Sequence, residues 1–237
     1  MRRIYSLIGV SLLFARFAAA TDWSTMEAFL GYNLVRFNPN SNFVPSFNAS
    51  GGSGQFVYNF DKWFGVALDM GAVNRDTLNY FNANNNSLSA NVNTTVMNLV
   101  AGPRFTYQNH SRFIPFAQVL FGGAWAWTST PITVPPGQVI TLPSGVVVSN
   151  PSLPFQSRLT ASNSGFAMLV GGGLDIKINK HVSFRPFEAD YYLTRASHLE
   201  ADLANIANNT PIVTGNNSNR NNFRYAAGVN FLFGAAR

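Results

Sequence analysis

The chain has 237 residues, of which 11% are charged (16 Lys and Arg against 10 Asp and Glu, formal net charge +6), 46% hydrophobic and 14% aromatic. Soluble domains carry roughly 25% charged residues, so this much apolar surface with so little charge excludes a disordered chain. The absence of Cys excludes a disulfide scaffold and a zinc or iron–sulfur site built on Cys, leaving a large all-β domain or a membrane protein.

The first twenty residues read as a processing signal. Arg2 and Arg3 precede an apolar run from Ile4 to Phe14, and Ala18-Ala19-Ala20 offers the small residues a signal peptidase cuts behind. Residues 1–20 are therefore expected to be a cleaved signal peptide, and 21–237 a single domain. Losing Arg2, Arg3 and Arg16 takes the formal charge from +6 to +3. No Lys/Arg cluster survives beyond them, so no nucleic-acid partner is expected. Beyond residue 20 no stretch reaches the run of about 18 apolar residues that a transmembrane helix needs.

Eight segments with period-2 alternation follow: 26–37, 52–60, 64–72, 97–105, 113–127, 165–178, 182–195 and 223–233. In the third, Phe64, Val66, Leu68, Met70 and Ala72 share one face, against Gly65, Ala67, Asp69 and Gly71 on the other. The last sets Phe223, Tyr225, Ala227, Val229, Phe231 and Phe233 against Arg224, Ala226, Gly228 and Asn230. Bulky residues on one face, with small, polar and charged ones on the other, is the arrangement of a barrel whose outside faces lipid. A soluble barrel would reverse it. In the seventh segment the apolar parity flips between Phe184 and Phe187, and a β-bulge near Pro186 would put both outside and turn Arg185, Glu188 and Asp190 inward.

The connections alternate in length. Asp61-Lys62, Asn109 to Arg112 and Asn179-Lys180 are tight polar turns, while 38–50, 75–93, 128–163 and 196–221 are long. Short periplasmic turns and long external loops are the pattern of outer-membrane barrels. Within the third long connection, Gln138 to Ser149 reads as a hairpin turning at Pro143-Ser144-Gly145; in the fourth, Leu199, Leu203 and Ile206 fit one face of a short helix. The expected fold is an all-β, transmembrane, antiparallel up-and-down barrel of eight strands.

An eight-stranded interior is only wide enough to be filled by side chains. The alternation points Glu27, Asp69, Asp175, Glu188 and Asp190 inward, opposed by Arg104, Lys177, Arg185 and Arg224. Five acids against four bases suits an ion-paired plug better than a ring of one sign, which a selective channel would show; a gated or small-solute pore made by rearranging the pairs is the alternative. Outward aromatics gather near segment ends. Phe60, Trp63, Tyr107 and Phe233 lie by the turns and Trp125 and Trp127 by the long connections, as two interface girdles. No inward His is available for a metal, and no cofactor is expected. Ser197, His198 and Glu200 offer triad residue types as sequence neighbours, a poor arrangement for acyl chemistry, while His110 and His181 fall at turns; no enzyme is expected.

Phe29-Leu30-Gly31-Tyr32, Gly102 to Tyr107, Phe121-Gly122-Gly123-Ala124, Gly171 to Asp175, Arg185-Pro186-Phe187 and the closing Phe223 to Gly234 occur in order on successive strands. Through them the chain resembles the OmpA-like eight-stranded outer-membrane barrel proteins over essentially all of 21–237. The resemblance implies export and insertion by the barrel-assembly machinery, with Gly228, Phe231 and Phe233 as the C-terminal assembly signal. It implies location in the bacterial outer membrane, with membrane lipid and lipopolysaccharide as neighbours and a monomeric state. It also implies a role in envelope integrity or narrow passive transport. The sequence departs from the family pattern in Ala226, where a polar residue is usual, and in the tail after Phe233. Long Asn-, Pro- and Gly-containing loops offer a different class of function, that of a surface adhesin or receptor.

Overall fold

The computed structural model describes residues 23–38, 46–83, 86–108, 111–134, 139–141, 147–149, 155–196 and 218–234. Eight strands close an antiparallel barrel: β1 (Met26–Phe37), β2 (Phe47–Asn59), β3 (Phe64–Ala83), β4 (Asn86–Thr106), β5 (Phe113–Val134), β8 (Phe155–Lys177), β9 (Val182–Ala196) and β10 (Ser218–Phe233). Each pairs with its neighbour in sequence, and the last closes on the first, from Met26↔Phe233 to Arg36↔Phe223. Between β5 and β8 a small hairpin pairs β6 (Val139–Thr141) with β7 (Val147–Ser149), where the sequence predicts one; its turn residues lie outside the described ones. So do the signal segment and the expected helix near Leu199.

At the short connections, side chains satisfy the backbone that the ladder leaves open. Asp61 Oδ1 accepts from the amides of Trp63 (2.6 Å) and Phe64 (2.8 Å), and Asn179 Oδ1 accepts from those of His181 (2.8 Å) and Val182 (2.9 Å). The long connections are more regular than the alternation suggests. Most of 75–93 is strand, with the β3–β4 ladder running on to Ala83↔Asn86, and β5 and β8 stay paired out to Val134↔Phe155. Greasy alternation ends where lipid ends, but backbone pairing does not need lipid. Polar side chains continue the ladder in water: Asn74 Nδ2 donates to Thr95 Oγ1 (2.8 Å), and Asn93 donates to Asp76.

Pro186 sits at an irregularity in both β9 ladders, where Ala226↔Glu188 is followed by Gly228↔Arg185 and Leu174↔Phe187 by Ile176↔Phe184. Proline lacks the amide a ladder needs, and the extra residue keeps Phe184 and Phe187 both outside while Arg185, Glu188 and Asp190 are all buried.

The interior differs from the sequence expectation in what fills it. Phe29, Phe37, Phe116, Leu120, Leu169 and Tyr192 are large and point inward. A lumen lined only by small and polar residues would leave voids, and interiors are close-packed. Glycines on the inner face make the room: a Cβ at Gly31 would lie 2.3 Å from the Phe29 ring, and one at Gly173 2.8 Å from the Phe116 ring. The same Cβ at Gly31 would also lie 2.5 Å from the Ala227 carbonyl, across the β1–β10 seam.

Gly31→Val should therefore destabilise the closed barrel by about 1–3 kcal/mol through overpacking. Gly52→Ala, whose Cβ would meet nothing nearer than 3.8 Å, should not. The temperature at which the compact form is lost in heat-modifiable gel migration reads both.

Candidate functional site

Every barrel strand contributes to one buried polar network. Arg104 on β4 pairs with Glu27 on β1 (3.4 Å) and Asp175 on β8 (3.2 Å), and donates to Gln55 Oε1 on β2 (2.5 Å). Arg185 on β9 holds Asp175 through two nitrogens (2.7 and 3.0 Å) and Glu188 through a third (2.5 Å). Arg224 on β10 reaches Asp69 on β3 (2.7 Å), Glu188 (2.6 Å) and Asp190 (2.8 Å). Amides fill the remaining directions. Gln118 Nε2 on β5 donates to Glu188 (3.0 Å), Gln55 to Gln118 (3.1 Å), Asn98 to Asp69 (3.1 Å) and Asn230 to Glu27 (2.9 Å).

The alternation of each strand brings these groups together, since a residue two positions along faces the same side. Arg104 and Arg185 would repel each other. Both lie against the Phe116 ring, whose centroid is 3.7 Å from the Arg104 guanidinium and 4.3 Å from that of Arg185, and Phe29 lies 4.2 Å from Arg185. The ring's π electrons attract both cations, and Gln55 Oε1 (2.5 and 3.1 Å) and Asp175 Oδ2 (3.2 and 3.0 Å) each accept from both, which offsets the repulsion.

At the turn-side mouth, Ser24 extends the network. Its amide and hydroxyl donate to Gln108 Oε1 (3.0 and 3.1 Å), and Asn59 Nδ2 donates to its carbonyl (2.9 Å). Towards the long connections an apolar cluster of Val35, Phe37, Val73, Val96, Ala126 and Tyr192, with Phe37 stacked on Phe47 at 5.2 Å, sits beside buried Arg220 and Asn222, the latter donating to Thr194 (3.1 Å). Arg104, Arg185, Leu120 and Leu169 are each 0% exposed.

Eight of the nine charged residues expected in the lumen lie in this network: Glu27, Asp69, Arg104, Asp175, Arg185, Glu188, Asp190 and Arg224. Lys177 is a correction. It ends β8 half-exposed, where its amide donates to the Arg112 carbonyl, and a long ammonium chain at a strand end reaches water. In this network five carboxylates face three guanidiniums, and a fourth buried arginine, Arg220, lies farther along β10 toward the long connections. Parity with Glu27 marks Phe29 as inward; that Phe29 and Phe116 stack on the guanidiniums is invisible in one dimension, as is the choice of Gln55, Gln118 and Asn98 as bridges.

Phe60, Trp63, Tyr107 and Phe233 are exposed on the outer wall at the turn side, with Trp63 and Tyr107 rings 4.6 Å apart, and Trp125 and Trp127 are exposed toward the other end. Gly228, Phe231 and Phe233 lie on β10 opposite Gly31, Ala28 and Met26, along the seam that closes the barrel. His181 is exposed at the β8–β9 turn; His110, Ser197, His198 and Glu200 fall outside the described residues. Among the described residues no group of three or more His, Asp or Glu is arranged to hold a metal, and each carboxylate of the network already faces a guanidinium.

A closed, eight-stranded antiparallel barrel with a greasy outside and an ion-paired inside defines an outer-membrane barrel protein. The chain belongs to the family described as the outer membrane protein beta-barrel domain, whose model matches residues 5–231. Among curated proteins, none matches the sequence. Similar solved structures include Ail, the attachment invasion locus protein of Yersinia pestis, at 14% identity and TM-score 0.49, covering 88% of this chain and 99% of Ail. OprG from Pseudomonas aeruginosa shows 15% identity and TM-score 0.43, covering 90% and 98%. Neisserial surface protein A shows 10% identity and TM-score 0.38, covering 89% and 98%.

Arg224→Ala should destabilise the barrel by about 3–5 kcal/mol, since it leaves three neighbouring carboxylates without a shared partner. Asp190→Asn should cost less, because it removes one of the surplus acids. Thermal unfolding of the refolded variants, followed by gel migration, orders the two; an Asp190→Asn loss equal to that of Arg224→Ala would contradict the surplus.

Proposed function

We propose that this protein is a monomeric structural barrel of the outer membrane whose lumen does not conduct, and that its role is in envelope integrity. The observation that carries this reading is the network drawn from all eight strands, in which three guanidiniums and five carboxylates fill the cross-section and an apolar cluster lies beyond them. An open passage would require several buried pairs to part, and each unpaired ion left behind costs several kcal/mol. The protein is read as a non-enzymatic barrel, delivered by a cleaved signal peptide of residues 1–20 and inserted by the barrel-assembly machinery through Gly228, Phe231 and Phe233. Its neighbours in the membrane are lipid and lipopolysaccharide, met by the aromatic girdles.

A second reading, a surface adhesin or receptor, is favoured by the length of the hairpins. A tilted strand spans a bilayer with about 9–11 residues, whereas β5 has 22 and β8 has 23. About 35 Å of paired ribbon is left over, at about 3.3 Å per residue. Both roles suit one molecule, since loops carry function on a rigid scaffold.

Planar-bilayer recording of protein that migrates in its compact, heat-modifiable form should give no sustained conductance steps; steady steps from that form would overturn the closed-lumen reading. Replacing 135–154 by a short Gly-Ser turn should leave compact migration intact if the ribbon serves binding alone, and loss of assembly would contradict that separation.

A further inference from the structure

The outer wall of the barrel is nearly free of charge. Among the side chains described, the strands present only three charged residues outward: Arg36 on β1, Arg195 on β9 and Asp76 on β3. The two arginines lie at the long-connection ends. Their face follows from the register, because directly paired residues share a face. Arg36 is paired with Phe223 and Asn48, Arg195 with Phe166 and Asn219, and Phe223 and Phe166 are exposed on the wall.

The two cations bracket one continuous strip. Arg36, Phe223 and Tyr191 form a row across three adjacent strands, and Arg195 stands four residues beyond Tyr191 on β9. With strands about 4.8 Å apart and about 3.3 Å of rise per residue, the two Cα atoms are roughly 16 Å apart. Between them the Tyr191 hydroxyl donates to Asn221 Oδ1 (2.6 Å), while on the far side of β1 Arg36 Nη1 donates to Asn48 Oδ1 on β2 (3.2 Å). Toward the membrane the same strip becomes apolar through exposed Leu34 and Tyr225, which are paired with each other. Asp76 lies apart, two strands from β1, and accepts from Asn93 on β4.

Cation, then amide and hydroxyl, then hydrocarbon is the reverse print of a phosphorylated glycolipid. We propose that Arg36 and Arg195 bind the two phosphates of a bisphosphorylated glucosamine lipid, the lipid A moiety of lipopolysaccharide. Its sugars lie along Tyr191 and Asn221, and its acyl chains on Phe223, Tyr225 and Leu34. Guanidinium suits this role because its planar fork meets phosphate oxygens in pairs. The inference deepens the proposed function and rests on that outer-membrane reading, with the long connections on the external side, where such a lipid resides.

The test is titration of the refolded full chain, in zwitterionic phospholipid vesicles, with bisphosphorylated and with dephosphorylated lipid A. Wild type should bind the bisphosphorylated form more tightly, and Arg36→Ala with Arg195→Ala should weaken that binding about thirtyfold and abolish the preference. Arg36→Lys with Arg195→Lys should retain most of it. Each single alanine variant should cost about fivefold, which serves if the double variant does not reach the compact form. Undiminished binding by the alanine variants, or wild-type binding to cardiolipin as tight as to lipid A, would overturn the proposal. Conductance does not enter the titration. A conducting barrel that still selects lipid A would leave this site standing, and loss of selection in a non-conducting barrel would leave the closed-lumen reading standing.

Discussion

A backbone amide or carbonyl in hydrocarbon has no water to bond to, so each strand crossing lipid must be paired on both edges. Closure of β1 on β10 meets that demand for this chain, and most other features follow from it. Once the sheet is closed, one side of every strand must be greasy and the other must share a narrow interior. With eight strands that interior is too small to be left to water and has to be filled.

The filling is expensive in a particular way. Burying an ion pair gains little net stability over a well-packed apolar pair, so the network is a weak argument for stability in itself. It is a strong device for register. Arg224 on β10 reaches Asp69 on β3, and Arg104 on β4 reaches Glu27 on β1 and Asp175 on β8. A slip of one residue would turn any of these strands inside out and carry its charge into lipid, at roughly 2–4 kcal/mol for an arginine near the midplane. The Pro186 bulge belongs to the same logic, because without its extra residue β9 would hold either its phenylalanines or its acids on the wrong side.

Above the membrane the constraint relaxes. The β3–β4 and β5–β8 ladders continue as backbone pairing, and Asn74, Thr95, Asn93 and Asp76 begin the β3–β4 extension with polar side-chain bonds. The charge-poor outer wall ends there in Arg36 and Arg195, so the two ends of the molecule meet the membrane with different chemistry.

The alternation of side chains by itself determined the class of fold, the number of strands, which residues face lipid and the need for a bulge at Pro186. Period-2 burial is a local property, written wherever lipid lies on one side and protein on the other. Three things needed the tertiary structure. The strands run on past the apolar alternation into 75–83 and 86–93, because hydrogen-bonded pairing in water leaves no hydrophobic trace. Lys177 drops out of the charge network that Glu27 and Arg224 share, because its height in the barrel, and not its parity, decides whether it meets the lumen or the solvent. And Phe116 fills the interior, because the space it enters is opened by Gly173, its partner on β8, and complementarity across a closed sheet is not a property of any one strand.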